Sequence, residues 1–568
     1  MIVRKFVFAV VLLVSVSHRV KAADEAQRLE FVKKLYEQQK WEEVLREARG
    51  SAEQSADFDY YRGMALSRLE RWSEARVAFS NASGKAPRDA RFLIERAGAE
   101  YKLNDFRAAK QDLRAALHLV ATDPYVPQFL GTIYLLEGNL EATLKYWNGL
   151  DKPRLETVEL VPSPKTQKRL VDRAVAFSPP GVLERRLFLR TNALLENLEV
   201  FPQWRIELSP APATANHDDY KATIRLNERV SWGSSIVDGA ITLLRGLPYE
   251  TVYPSYYNWH GEAINFDSLM RWDPEKRRVA ATFSLPLFAQ PGKRLRMFFD
   301  ARNENWNLSR TFAGAPVAVT DLNMKRFSGG AELQVVQNGR WDLTMGLEGI
   351  SREFRNVPAG LSGAAAPFFT DGKSLEVSLR AHRTIIRVPE RRFTLDGKVD
   401  VRAGRNYASG LGAFGSMEGQ LKSRWMPKAR GDDYEFRSSL QSGRIFGQVP
   451  LDELYQLGVE RDNDLWLRGH SGTLDGRKGR APLGRRYVLL NSEVNKTIYD
   501  RAFFRVQLGP FFDTGAIADA SGEFGSQKWL FDTGIQARVR ILGSVSVVLS
   551  YGRDLRNGTG VFYGTSVR

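Results

Sequence analysis

The stretch from Asn463 to Asn495, NDLWLRGHSGTLDGRKGRAPLGRRYVLLNSEVN, sets the pair Arg468-Gly469 just inside a long glycine-rich, basic segment that runs into a strand-like pattern. A guanidinium is a planar fork of donors shaped for carboxylates, and a glycine beside it lets the backbone turn sharply against a partner. Such a pair suits gripping rather than catalysis. The other residue sets that could do chemistry are weaker. The 6 histidines are scattered, with no His-Glu-x-x-His spacing, so no metal is expected. With 0 cysteines there are no disulfides, thiolate metal sites or cysteine nucleophiles. GLGAFG (Gly410 to Gly415) carries dinucleotide-type glycines, but it falls in a loop between strand patterns rather than at a strand-to-helix turn. GHSGT (Gly469 to Thr473) falls short of the Gly-x-Ser-x-Gly elbow. Neither an enzyme nor a cofactor is expected.

A long loop needs a frame. From about residue 231 to the end the sequence alternates strictly. SLEVSLRAH puts Leu375, Val377, Leu379 and Ala381 on one face and Glu376, Ser378, Arg380 and His382 on the other. FTLDGKVDVR and GIQARVRI repeat the pattern. Segments of about 9–11 alternating residues match tilted strands that cross a bilayer. Tight turns such as QNGR, with Asn338-Gly339, alternate with long loops at 303–327, 350–373, 403–414, 445–485 and 514–528. Short turns on one side and long loops on the other predict a transmembrane antiparallel β-barrel over 231–568. Fourteen strands are clear, and a further hairpin within 231–260 makes sixteen the expected number.

Upstream, residues 1–22 read as a secretory signal: Arg4 and Lys5, an apolar run from Phe6 to Val16, and small residues at Val20-Lys21-Ala22. Residues 23–150 are repetitive. KWEEVLREA, RWSEARVAF, DFRAAKQDL and NLEATLKYW are versions of one segment, anchored by Trp41, Trp72, Phe106 and Leu140 at spacings of 31, 34 and 34 residues. That period predicts stacked helix pairs in an all-α solenoid. The second copy resembles the tetratricopeptide repeat, with Gly63, Ala75, Phe79, Ala82 and Pro87 at its small, aromatic and proline positions. Residues 153–230 read as strand, helix, helix, strand, strand, an α+β order that resembles a POTRA module, the periplasmic polypeptide-binding domain found before certain barrels.

The last third of the barrel resembles the outer membrane protein 85 superfamily, which includes BAM-complex barrels and two-partner secretion transporters. Its signature is a Val-Arg-Gly-Phe or Val-Arg-Gly-Tyr loop folded back into the lumen; here Leu467-Arg468-Gly469-His470 stands in that place, with a histidine for the aromatic. Downstream, Glu493 in LLNSEV and Asp513 in FFDTG match the family's strand carboxylates. The resemblance implies that these two carboxylates grip Arg468.

The formal charge of +16 suits anionic lipid headgroups or acidic clients, and an exported chain does not meet nucleic acid. The expectation is therefore an outer-membrane protein with its N-terminal domains in the periplasm. It would receive a client polypeptide, or dock a periplasmic partner, and export the client or insert it into the membrane. A polysaccharide-export porin with periplasmic repeats is the alternative; it accounts for the repeats but not for Arg468, Glu493 and Asp513.

Overall fold

The computed structural model describes residues 24–48, 55–211, 219–308, 319–359, 367–407, 411–428, 433–501, 504–519, 524–541 and 545–567. The expected signal peptide lies outside them, as does Gly410 of GLGAFG. The chain divides into two compact units, one ending near Asp151 and one running from Lys152 to Arg568.

The first unit is helical. Helices α1 (24–37), α2 (Trp41–Glu47), α3 (Ala56–Arg68), α4 (Trp72–Lys85), α5 (Ala90–Lys102), α6 (Phe106–Leu119), α7 (Tyr125–Leu136) and α8 (Leu140–Trp147) follow one another. They form four pairs, each joined by a three-residue turn. Small residues set the approach within a pair. A Cβ on Gly63 would come 2.5 Å from the Phe79 ring, so α3 and α4 close only because Gly63 has none. Phe79, Ala75 and Ala82 are fully buried, and Trp41, Trp72 and Phe106 pack against the cores of successive pairs. Pro87 follows the end of α4. It is exposed in the turn between α4 and α5, where its ring cannot continue the helix.

The second unit opens with a small sheet. Strand β1 (Arg154–Val161), helices α9 (Lys168–Ala174) and α10 (Arg185–Asn197), and strands β2 (Gln203–Pro210) and β3 (Asp219–Asn227) follow in order. β3 lies between the others, parallel to β1 and antiparallel to β2. Its Ala222, Ile224 and Leu226 are buried, as are Leu170, Leu194 and Leu195 on the two helices.

The barrel does not begin with the expected hairpin. Residues 231–260 hold helix α11 (Ile236–Leu244), then β4 (Thr251–Val252) and β5 (Ser255–Trp259), both paired to β6 (Ile264–Arg271). The short apolar run IVDGAITLL carries no period that separates a strand from a helix, which is why the sequence misleads here. The wall continues through β7 (Lys276–Pro286), β8 (Lys293–Trp306), β9 (Leu322–Gln337), β10 (Trp341–Arg355) and β11 (Gly372–Val388). Then come β12 (Phe393–Asn406), β13 (Ala413–Trp425) and β14 (Tyr434–Phe446). Four two-residue strands, β15 (Tyr455–Gln456), β16 (Thr473–Leu474), β17 (Arg477–Lys478) and β18 (Leu483–Gly484), lie in one long loop. β19 (Arg486–Arg501), β20 (Phe504–Ala518), β21 (Gly525–Ile541), β22 (Val545–Asp554) and β23 (Gly560–Val567) complete the wall. The sheet closes on itself through eighteen segments rather than sixteen strands; β4 and the loop hairpin strands β16 and β17 are two-residue pieces, and the other fifteen form the wall.

Alternation sorts the two faces. On β11, Leu375, Val377 and Leu379 are exposed outward, while Glu376 between them is buried on the inner face. No helix among the described residues is long and apolar enough to cross a membrane, which says nothing of strands.

The small sheet domain is fastened to the short-turn side of the barrel. Arg294, on β8, is fully buried and donates to the carbonyls of Asn197 and Leu198 at the end of α10, and to Ala263; its Nε lies 2.8 Å from Glu199. Asn197 donates to the Pro291 carbonyl in the β7–β8 turn. Glu228 accepts from Lys165, Thr166 and Asn258, joining the domain to β5.

Candidate functional site: a loop held across the barrel

β14 pairs directly with β19, with Arg444 opposite Arg486, so the segment 447–485 leaves the wall and returns to the same place. Between those ends it touches β6, β7, β9 and β10 on one side of the ring and β19, β20 and β21 on the other. A segment that reaches both sides of a closed ring runs through its interior.

Arg468 sits on one wall. Its Nε and Nη2 donate to the two oxygens of Asp513 on β20 at 2.8 and 2.6 Å, and its backbone N–H reaches the same carboxylate at 3.1 Å. Nη1 donates to Glu493 on β19 at 3.1 Å and to Gln536 on β21 at 2.9 Å. The guanidinium lies 3.7 Å from the centre of the Phe511 ring. Asn491 also donates to Asp513, and Arg538 to Glu493, so both carboxylates are filled. All four residues named from the sequence, Arg468, Gly469, Glu493 and Asp513, come together here.

Gly469 has a steric reason. Its N–H donates to Asp532 at 2.6 Å, and a Cβ there would lie 2.6 Å from the Asp554 nitrogen and 2.7 Å from the Asp532 carboxyl carbon. Gly552 on β22 is matched to it, since a side chain there would run into the Arg468 carbonyl. His470 takes a polar role in place of an aromatic. Its Nδ1 lies 3.1 Å from Asp532 and its Nε2 3.6 Å from Asp554. Donor atoms of these three residues lie within 4.8 Å of one another. A metal would take one ring nitrogen, however, whereas each nitrogen here faces a different carboxylate. The imidazole bridges two strands.

The opposite arm of the loop was not foreseen from the sequence. Asp462 meets Arg271 on β6 at 2.8 Å, Arg278 on β7 at 2.5 Å and Lys478 at 3.4 Å. Glu460 meets Lys276 on β7 at 3.2 Å. Asp452 receives Arg352 of β10 at 2.7 Å and Arg326 of β9 at 3.2 Å, and Glu453 pairs with Arg352 as well. The loop thus carries acids toward a basic wall and an arginine toward an acidic one. No local motif marks Asp452, Glu453, Glu460 or Asp462, because their partners lie about 100 to 190 residues away in sequence. Leu451, Leu457 and Leu467 are buried with Tyr487, Leu489 and Ile517 of the wall, which adds apolar packing to the clamps. Beside the loop a lumen cavity of about 970 Å³ remains, lined mainly by charged side chains.

No protein-family model matches this chain, and no curated protein matches it. Its fold is similar to that of CdiB from Escherichia coli, at 14% identity and a TM-score of 0.47, covering 73% of this chain and 77% of that one. CdiB from Acinetobacter baumannii is similar at 13% identity and TM-score 0.43, with 73% of each chain covered. BamA from Haemophilus ducreyi lacking POTRA domains 1-3 is similar at 12% identity and TM-score 0.42, with 73% of this chain and 84% of that one covered.

Proposed function

We propose that this chain is an outer-membrane barrel of the outer membrane protein 85 superfamily that exports polypeptides or inserts them into the outer membrane. The loop 447–485 governs its lumen. The helix pairs are a tetratricopeptide array and the small sheet domain is a POTRA-like module, both on the periplasmic side, where they receive the client or dock a partner. The periplasmic assignment is supported by the attachment of the module to the short-turn side through Arg294 and Asn197. The outward apolar face of β11 suits lipid contact.

The observation that carries this reading is the two-pronged grip of Asp513 on Arg468 inside the ring, with Glu493 alongside. A buried, fully bonded arginine on a returning loop fixes a plug, and fixing a plug has a purpose only in a barrel that must also let something pass. The test is a double-mutant cycle between Arg468→Ala and Asp513→Asn, read by protease sensitivity of the loop and by the yield of surface and outer-membrane proteins in cells. Strong coupling is expected, with the barrel still heat-modifiable on gels. Arg468→Lys should rescue poorly, since an ammonium lacks the planar fork. Additive effects, or unchanged client yield when the chain is deleted, would overturn the reading.

A further inference from the structure

Resting on the transport function proposed above, we infer that the polypeptide segment this barrel receives is acidic, entering along the edge strand β2 and passing down a stripe where cations outnumber their carboxylates into the lumen.

Two cavities define the path. The first, about 1090 Å³, lies between the small sheet and the barrel rim and is lined by Trp204, Arg205, Arg225, Arg505 and Arg540, with Asp500 as its one carboxylate. The second is the lumen cavity of about 970 Å³. Arg540 lines both, so the two meet there. Along this route positive charge exceeds its partners. Arg205 and Arg225 share the single carboxylate of Glu207, at 3.6 and 2.9 Å. Asp500 is taken by Arg505 at 2.5 Å. Among the described residues no carboxylate stands within ion-pair distance of Arg540, nor of Lys398 and Lys422 deeper in the lumen cavity.

The wall even sets like charges face to face. Arg505 is directly opposite Arg540 across β20–β21. Such pairs destabilise a sheet. The loop clamps show that this barrel can supply an acid to each cation when holding is the purpose: Arg271, Arg278, Lys276 and Arg352 all have one. On the open route the cations outnumber the carboxylates, and an anionic visitor would supply the balance.

The class of that visitor follows from where the route begins. β2 is an edge strand of the sheet β1-β3-β2, and an edge strand presents a row of backbone donors and acceptors that an added strand can pair. An extended polypeptide satisfies that row in register; a polysaccharide does not. An acidic peptide laid on β2 meets Arg205 and Arg225 first and Arg505 and Arg540 next.

The experiment uses the full chain in detergent micelles and three fluorescein-labelled peptides of one alternating pattern, valine with glutamate, glutamine or lysine. An oligogalacturonate serves as the acidic sugar probe. The glutamate peptide should bind about tenfold tighter than the lysine peptide at low salt, with the gap closing as salt rises. The triple variant Arg205→Glu, Arg225→Glu, Arg540→Glu should abolish the preference, and a photo-crosslinker at Gln203 should capture the glutamate peptide. Equal affinity for the three peptides overturns the acid selectivity and leaves transport standing. Binding of the oligogalacturonate without the glutamate peptide replaces the peptide client by an acidic polysaccharide. No binding of any probe overturns the route. The client yield of cells carrying the triple variant reports separately on transport: a chain whose deletion leaves that yield unchanged has lost the proposed function itself, not only its charge preference.

Discussion

Two buried carboxylates of the barrel lumen and one of the helical unit are held in opposite ways. In the lumen Asp462, 3% exposed in its side chain, meets three cations, and Asp513, fully buried, meets the fork of Arg468. In the helical unit Glu100 is 6% exposed, and its Oε2 has no hydrogen-bond partner. The neighbouring arginine, Arg96, is spent on Asp112. A buried carboxylate with partners is a fastener that fails when a partner is removed. One without partners stays neutral over a wider pH range and answers to protons instead.

Removal of a partner gives the largest expected effect. Asp462→Ala removes the carboxylate that Arg271, Arg278 and Lys478 share in a screened lumen, leaving Arg278 with Asp300 and Lys478 with Glu304. Losing one partner of such a set costs about 3–5 kcal/mol. The loop should become as sensitive to protease as it does in Arg468→Ala, while the strands remain closed. If Asp462→Ala keeps the loop resistant, Arg468 alone anchors it and the two-armed description is wrong.

Gly552→Ala sharpens the same contrast without changing a charge. The added methyl meets the Arg468 carbonyl, and overpacking of this kind costs about 1–3 kcal/mol. Partial release of the loop is expected, visible as faster hydrogen exchange over 463–470 with unchanged exchange in β6 and β7. Equal acceleration at both walls would mean that the two clamps open as one.

What the sequence made legible follows the range of each signal. Strand alternation is local, so the outward set Leu375, Val377 and Leu379 is readable from nine residues. The helix pairs are readable because Trp41, Trp72 and Phe106 recur at a near-constant period. Arg468, Glu493 and Asp513 were named only through a family signature; nothing in their spacing draws them together. The acidic arm has no such signature. Arg271 and Asp462 are 191 residues apart, and only barrel closure makes them neighbours. His470 reads as a loss of aromatic packing until Asp532 and Asp554 are seen on either side of its ring. Helix α11 was missed because nine apolar and small residues suit a strand as well as a helix.

The smallest effect belongs to Glu100, and it tests the other half of the comparison. Burial first, and the charge of Asp112 second, push its carboxyl up to about 7 from an ordinary 4.5. A group raised in the folded state favours the fold while protonated. Its contribution is complete below the unfolded value and is lost as pH rises through about 7. Helices α5 and α6, which carry Glu100 and Asp112, should therefore open more readily on the alkaline side of that value. Hydrogen exchange of the full chain, corrected for the intrinsic pH dependence of amide exchange, should show the step in peptides covering 90–119. Glu100→Gln keeps the shape and removes the titration, so it should flatten the step. Glu95, on the same helix, is also raised by its burial, which makes Glu95→Gln the necessary control. A step that survives Glu100→Gln but disappears in Glu95→Gln would move the unpaired carboxyl to the other residue. A step that survives both would show that neither carboxyl is the titrating group and that the contrast drawn for Glu100 is wrong.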